Sequence, residues 1–209
     1  MAKVILINGS PRENGCTARA LDEMIKVFTE EGIETELFQI GKNDIRGCVA
    51  CNGCQKHGRC VYSGDIVNEI AAKFEGADGL VVGSPVYYAS PNGSLISLMD
   101  RLMYSTPYSK QMKVGAAVVS ARRSGSSASL DVLNKYFINR NMMLAGSTNW
   151  NIVHGFTADD MEKDLEELQT IRNLARNIVF MVKAFEDAKD KYGLPKEELD
   201  YFTSFPDGK

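Results

Sequence analysis

The chain has 209 residues, of which 44% are hydrophobic and 24% charged, and its formal net charge is −3 at pH 7. This length suits one soluble domain with a substantial core, while the slight acidity and the lack of a basic run argue against a nucleic-acid surface. No apolar stretch reaches the ~20 residues of a membrane span, and the N-terminus lacks the charged and apolar regions of a signal peptide, so we expect a cytoplasmic protein whose five cysteines form no disulfide framework.

The first stretch of the chain, KVILINGSPRENGCTA over residues 3–18, predicts a buried strand, a polar loop and the start of a helix. Residues 4–7 form a continuous apolar run, as in a parallel strand covered on both faces. Apolar residues then recur at helical spacing over 21–28, until Gly32. The loop offers hydroxyls, a guanidinium and the unpaired N–H groups of a helix's first turn, which attract a phosphate. Because it has neither a P-loop lysine nor GxGxxG spacing, it predicts a site for one phosphate monoester, with an ordinary capped turn as the alternative.

The rest of the chain continues to alternate strands and helices without repeats. After the first strand we predict strands over residues 33–40, 79–82, 114–119 and 142–145, an irregular segment over 146–156, and helices over 66–74, 95–103, 130–137 and from 158 past 185. The weak alternation of the second strand indicates a sheet edge, and Asp65 is predicted to cap the helix after it. Five strands and five helices predict a doubly wound, five-stranded parallel sheet in three α/β/α layers. This domain would span residues 1–193, with a cysteine-loop insertion at 41–64 and a C-terminal tail at 194–209.

Three loops rich in small and polar residues leave the carboxyl ends of predicted strands, namely GSPRENGCT, GSPVYYASPNGS and SARRSGSSAS. Ligands of a doubly wound sheet bind beyond these ends, where the winding reverses, so we expect the loops to share one crevice. In the second loop Tyr87 and Tyr88 suit the edge and face of a flat heterocycle, although packing is the alternative. A planar ring joined to one phosphate describes FMN.

The combination of these loops resembles the NADPH-dependent FMN reductase group of flavodoxin-like proteins. The resemblance covers roughly residues 3–145 and includes GSPRxxGxT, GSPVYY, Asp100-Arg101 and the Gly/Ser/Arg loop after the fourth strand. It implies a flavodoxin-like fold, NAD(P)H as co-substrate, and a homodimer or homotetramer. The residues predicted to bind FMN are Ser10, Arg12, Cys16, Thr17 and Ala18 at the phosphate, Pro85, Val86, Tyr87 and Tyr88 along the ribityl chain and ring, with Asn92 at the next helix, and Ser120, Ala121, Arg122 and Gly125 on the far side.

Four cysteines, Cys48, Cys51, Cys54 and Cys60, form a CX2CX2CX5C arrangement within 13 residues. Four thiolates at so compact a spacing suit an iron–sulfur cluster, whereas structural zinc usually takes two CX2C pairs separated by a longer insert. The five residues before the last cysteine, and Val61 after it, depart from the bacterial ferredoxin pattern. The arrangement is instead similar to that of iron–sulfur flavoproteins, which implies a [4Fe–4S] cluster inserted after the second strand. Zinc and free thiols remain alternatives.

These features predict an FMN-dependent oxidoreductase that passes electrons from a reduced donor, either NAD(P)H or a ferredoxin-like protein, through a [4Fe–4S] cluster and FMN to a small acceptor. Two alternatives remain: a cluster-free NAD(P)H-dependent FMN, quinone or azo reductase, and an electron carrier without small-molecule turnover. No Ser/His/Asp or paired-carboxylate constellation indicates hydrolysis, and no side chain is predicted to be catalytic. The roles of His57, Trp150 and His154 stay open.

Overall fold

A computed structural model describes residues 2–201 of the chain. The helices and strands in this range are, in chain order, β1 (Lys3–Asn8), α1 (Cys16–Glu30), β2 (Glu34–Gln39), α2 (Gly53–His57), α3 (Val67–Glu75), β3 (Gly79–Tyr87), β4 (Ser90–Pro91), α4 (Gly93–Ser105), β5 (Val114–Ala121), α5 (Ser126–Ile138), β6 (Met143–Leu144), β7 (Ile152–His154), α6 (Ala158–Met161) and α7 (Leu165–Tyr192). Within the same range, no helix is both long and apolar enough to cross a lipid bilayer.

The sheet has the strand order β2-β1-β3-β5-β6, and neighbouring strands along this path run parallel. The winding reverses between β1 and β3, because β2 lies on one side of β1 and all later strands lie on the other. β2 is the edge strand that its weak alternation predicts. The doubly wound parallel sheet is therefore confirmed, and its carboxyl edge at the β1/β3 reversal is where a ligand is expected.

Helices cover both faces of the sheet, as continuous apolar strands require. Val4 and Leu6 of β1 pack into a core with α1 and α7. Their neighbours Ile5 and Ile7 point the other way, into a core with α3, α4 and α5. All four side chains are fully buried, and each contributes about 1.5–3 kcal/mol by leaving water. The three-layer α/β/α architecture follows.

Two strand predictions need correction. β3 does not end at Val82 but runs to Tyr87 and turns back into β4. The turn residues Tyr88 and Ala89 have φ of 50° and 61°, a hairpin turn usually made by Asn-Gly, so the sequence carried no signal for it. The segment 146–156 is not wholly irregular, since it contains β7. β5 is eight residues long, so β6 pairs with its first half and β7 takes the free second half.

The predicted single helix from residue 158 is also wrong, because two helices occupy this region. Thr157 and Asp160 form a capping box that starts the short α6. A second acidic cap, Asp164, accepts a hydrogen bond from the backbone of Glu167 at 3.4 Å and starts α7. Residues 194–201 form no helix or strand, and the remainder of the predicted tail, 202–209, lies outside the described residues.

Candidate functional site

A cavity of about 470 Å³ opens at the carboxyl edge of the sheet, within the size range of small-molecule sites. The three polar loops that follow β1, β3 and β5 meet there, and a fourth segment after β7 closes one side. The lining residues are Ser10, Arg12, Asn14, Gly15, Cys16, Thr17, Pro85, Val86, Tyr87, Ser120, Ala121, Arg122, Gly155, Phe156, Thr157 and Ala158.

The N-terminus of α1 forms one end of this cavity. Its N-cap is Gly15, which has no side chain to satisfy the first N–H groups of the helix. The preceding turn is held by the backbone N–H of Ser10, which donates to Asn8 Oδ1 at 3.0 Å, and by that of Arg12, which donates to Ser10 Oγ at 3.1 Å. The N–H groups in the first turn of α1 lack a side-chain cap. They lie at the positive end of the helix, with the exposed Arg12 guanidinium nearby, and therefore suit a dianionic phosphate.

A buried pair of hydroxyls joins the first turn of α1 to β5. Thr17 Oγ1 and Ser120 Oγ lie 2.8 Å apart beneath the cavity, so each hydroxyl has a partner although neither is in water. Cys16 next to Thr17 donates its thiol to the Thr157 carbonyl at 3.1 Å. Burial raises the pKa of the Cys16 thiol, more than the nearby Arg12 lowers it. The thiol is therefore neutral and ties α1 to the segment before α6.

Four residues predicted to bind FMN lie outside the cavity lining. Ala18 is buried in the first turn of α1, and Tyr88 points fully into solvent from the hairpin turn. Asn92 caps α4 by accepting from the backbone of Ser94 at 3.0 Å. Gly125 starts α5 at φ +87°, where an added Cβ would lie 2.6 Å from the Cα of Ala89. Asn92 and Gly125 therefore support the loops that line the cavity without lining it themselves.

Six lining residues were not predicted from the sequence, namely Asn14, Gly15, Gly155, Phe156, Thr157 and Ala158. Two of them, Asn14 and Gly15, belong to the phosphate loop, where the family resemblance implied other residues. The other four follow β7, whose short apolar pair Ile152-Val153 was the available signal. Recognising that pair as a strand would have placed the following loop at the carboxyl edge.

The four loop cysteines surround a second, much smaller cavity of about 20 Å³, between the cysteine loop and the C-terminal half of α4. All four are free thiols; Cys60 is buried, Cys54 is half-buried, and Cys48 and Cys51 are exposed. A space of this size holds about one water molecule. Within residues 2–201, no three Cys, His, Asp or Glu side chains stand close enough together to hold a metal ion. The fold gathers the cysteines without setting them in ligating geometry.

Arg101 of α4 lies against this second cavity and is only 1% exposed. Its guanidinium forms a two-pronged ion pair with Asp65, and its Nε–H donates to the Cys60 sulfur at 3.2 Å. Burial alone would lower the pKa of Arg101, but these bonds to Asp65 and Cys60 outweigh burial and raise the pKa. A permanent positive charge therefore sits beside the Cys60 sulfur. Asp65 also accepts from the Val67 backbone at 3.2 Å, but the prediction that it caps this helix is wrong, because the N-cap of α3 is Ile66.

The three residues of open role lie away from the lining of the large cavity. His57 is exposed on α2. His154 ends β7, where its Nδ1 lies 3.6 Å from Asp164. Trp150 is 64% exposed at the β6 side of the sheet, where it lines a separate surface cavity.

The family model described as NADPH-dependent FMN reductase matches residues 2–157. An iron–sulfur flavoprotein of Methanocaldococcus jannaschii is 34% identical over 192 residues, which cover 87% of this chain and 97% of that protein. Among solved structures, RosB with bound 8-demethyl-8-formylriboflavin-5′-phosphate has a TM-score of 0.73 at 14% identity, covering 99% of this chain and 92% of RosB. A flavodoxin from the domain Archaea has a TM-score of 0.58 at 16% identity, covering 87% and 99%. The predicted flavodoxin-like fold is confirmed.

Proposed function

This chain belongs to the NADPH-dependent FMN reductase family and is an FMN-dependent oxidoreductase, and we propose that it works as an iron–sulfur flavoprotein. In this proposal FMN binds at the carboxyl edge of the sheet and a [4Fe–4S] cluster binds at the cysteine loop. Electrons enter from a reduced donor and leave to a small acceptor. The observation that carries the proposal is the pairing of an uncapped helix N-terminus, within a 470 Å³ cavity, with four free cysteines around a second cavity.

The large cavity fits FMN by the chemistry of its lining. The N–H groups of the first turn of α1 and the Arg12 guanidinium would bind the phosphate. Tyr87 and the Pro85-Val86 backbone would lie along the flat ring, while Phe156 would limit the access of water to it. When bound, FMN supplies the redox chemistry, since it can exchange one or two electrons. The protein's part is to orient the ring and to tune its potential through the groups around it.

The cysteine cavity fits a [4Fe–4S] cluster by its donor set rather than by its volume. Four thiols from one 13-residue stretch match the four thiolates that such a cluster requires. A cavity of about 20 Å³ is too small for the cluster, so the loop must open around it. Cys48 and Cys51 are exposed and flank Ala50, whose φ is 52°. These two thiols can therefore move to ligate without disturbing the buried core.

The donor, the acceptor and the assembly state are further parts of this proposal. A ferredoxin-like protein suits a cluster that takes one electron at a time, and NAD(P)H suits direct reduction of FMN. We propose a small molecule such as a quinone as the acceptor, and a homodimer or homotetramer as the assembly. A cytoplasmic location remains a prediction.

The first test is to purify the protein without oxygen and to measure its ultraviolet–visible spectrum together with iron, sulfide and flavin. We expect about four irons and four sulfides per chain, one FMN, and a broad absorption that bleaches on reduction. A flavin spectrum without iron would contradict the cluster and leave a cluster-free NAD(P)H-dependent reductase, which the small cysteine cavity favours as the second candidate.

A second test separates the donors. Reduction of the bound flavin is followed by stopped flow with NADPH, NADH or a chemically reduced ferredoxin, and then with a quinone added as acceptor. Turnover with the quinone would support an oxidoreductase that uses a small molecule as its acceptor. Flavin reduction without turnover would favour an electron carrier.

A further inference from the structure

Arg101 is a charged side chain that is only 1% exposed. A guanidinium has five N–H donors, and all five are used here. Nε–H donates to Cys60 Sγ at 3.2 Å, one Nη1–H to the Arg46 carbonyl at 3.1 Å, and one Nη2–H to the Tyr62 carbonyl at 2.8 Å. The remaining two donate to the two carboxylate oxygens of Asp65. Every acceptor belongs to the segment 46–65.

These five bonds fasten both ends of the cysteine loop to one point on α4. Arg46 lies two residues before the first cysteine, while Tyr62 and Asp65 follow the last. Tyr62 is held a second time, because the Arg46 guanidinium lies 4.4 Å from the centre of its ring. The loop is thus closed at its base by contacts that do not involve Cys48, Cys51 or Cys54.

The five Arg101 bonds to the segment 46–65 also make the Cys60 sulfur unlike the other three. Cys60 is 8% exposed and accepts the Arg101 N–H, whereas Cys48 and Cys51 are exposed. A buried ion pair is costly to form unless its hydrogen bonds are satisfied, and here every Arg101 donor has an acceptor.

We propose that Arg101 is the positioning residue of the cysteine loop: it closes the base of the loop, fixes Cys60 as the anchoring ligand, and keeps an N–H on that sulfur. For the cluster-bound protein this inference rests on the proposed function. All four cysteines would hold the cluster, and of their sulfurs Cys60 Sγ already accepts an N–H from Arg101.

The Arg101 N–H on the Cys60 sulfur is expected to affect the reduction potential of the proposed cluster. A bound cluster would place more negative charge on its thiolate sulfurs in the reduced state than in the oxidised state. A hydrogen bond to a ligating sulfur favours that reduced state and raises the potential. Asp65 offsets part of the Arg101 charge, but the Nε–H bond remains directed at sulfur. Loss of Arg101 is therefore expected to lower the midpoint potential of the cluster and to loosen its hold on iron.

The test compares three variants of the full chain. Arg101→Met is combined with Asp65→Asn, because Arg101→Met alone would leave a buried carboxylate without its partner. Arg101→Lys keeps the charge and loses the five-donor geometry. The matched control is Arg59→Met, which removes the same charge from an exposed neighbour of Cys60. Three quantities are measured: the rate of iron loss to a chelator, the cluster midpoint potential by EPR-monitored titration, and hydrogen exchange over residues 46–65 in metal-free protein.

We expect the Arg101 variants to lose iron about 10- to 100-fold faster, with a lower potential and faster exchange over 46–65, while FMN content and the Arg59→Met control stay unchanged. Unchanged iron loss and potential in these variants would overturn the inference while leaving the cluster intact. If the double variant does not fold, Arg101→Lys decides by the same readouts. If the unmutated chain holds FMN but no iron, the proposed cluster is contradicted, and hydrogen exchange over residues 46–65 still tests whether Arg101 closes the loop. Equal exchange in the Arg101 and Arg59 variants would overturn that role of Arg101.

Discussion

The two cavities of this molecule are built in opposite ways. The large cavity, in which we propose that FMN binds and which is called the flavin cavity from here on, lies on the carboxyl ends of three adjacent parallel strands. The cysteine cavity lies between one irregular loop and one helix, and it is small, with two of its four thiols exposed. A site on the sheet is preformed for its ligand, whereas a site on a loop can supply the right ligands and still need its cofactor to complete it. The following predictions test that contrast.

On the proposal that the cysteine loop holds a [4Fe–4S] cluster, the largest expected effect is the loss of this cluster from Cys54→Ala. A [4Fe–4S] cluster requires four thiolates, so we expect iron to fall to a small fraction of the unmutated value while FMN remains at one per chain. Iron and flavin analysis of anaerobically purified protein measures both. Cys16→Ala makes the same substitution in the flavin cavity and should keep its iron. Loss of FMN together with iron in Cys54→Ala would show that the two cavities are not independent.

Low pH should weaken the ion pair between Glu23 of α1 and Arg172 of α7. Burial alone would raise the pKa of Glu23 on α1, but hydrogen bonds from Arg172 and Arg19, each 2.7 Å long, outweigh burial and hold its pKa at about 2. The usual value is 4.5, so the folded state gains at most about 3 kcal/mol from this group above pH 4.5. That stability is lost as the pH falls from about 4.5 toward 2.

Glu23→Gln should therefore lower the free energy of unfolding by about 2–3 kcal/mol at pH 7 and by much less at pH 3. Urea denaturation at a series of pH values measures the difference. Glu30→Gln, on the exposed end of the same helix, is the control and should follow the unmutated curve. A loss of stability in Glu23→Gln that does not change with pH would contradict the role of the ion pairs.

Gly125 packs against the turn between β3 and β4 and is expected to support the part of this hairpin that lines the flavin cavity. Gly125→Val forces a branched side chain into φ +87° and against the Cα of Ala89 at 2.6 Å. Such strain costs about 1–3 kcal/mol, so we expect FMN to bind roughly 5- to 150-fold more weakly, as measured by fluorescence titration, with iron content unchanged. Gly146→Val adds the same side chain where no atom lies within 4 Å. If both variants bind FMN as the unmutated chain does, the hairpin is not supported by Gly125.

The smallest expected effect comes from Ser120→Ala. This change leaves the buried Thr17 hydroxyl without its partner at 2.8 Å, which costs about 1 kcal/mol and should weaken FMN binding about fivefold. Adding Thr17→Val removes the stranded hydroxyl, and the double variant should recover part of the loss in a double-mutant cycle. Strictly additive effects would mean that the hydrogen bond does not act on the cavity.

The sequence was informative wherever a local pattern sets the structure. The apolar run at residues 4–7 and the helical spacing of 21–28 predicted β1 and α1, because burial on both faces or on one face leaves a readable period. The three polar loops could be assigned to one edge since parallel strands share their direction. These arguments need only neighbours along the chain.

Features that depend on distant partners could not be predicted. β7 exists because β5 is longer than β6, and nothing in Ile152-Val153 alone reports that length. Arg101 was identified only as part of a family motif, because the spacing of apolar residues along a helix does not indicate which charged side chain is buried. The cysteine spacing indicated ligands, yet the distances among the thiols depend on how the loop folds against α4.

The split edge of the sheet limits how this protein can associate. A long, flat edge strand offers free backbone groups to which another chain can add. Here one edge consists of fragments of two and three residues, β6 and β7. The other edge, β2, carries Glu34 and Glu36, both in ion pairs with Lys3. Continuation of the sheet from one molecule into the next is therefore disfavoured on both sides, so we expect any contact between copies of this chain to involve helices and loops.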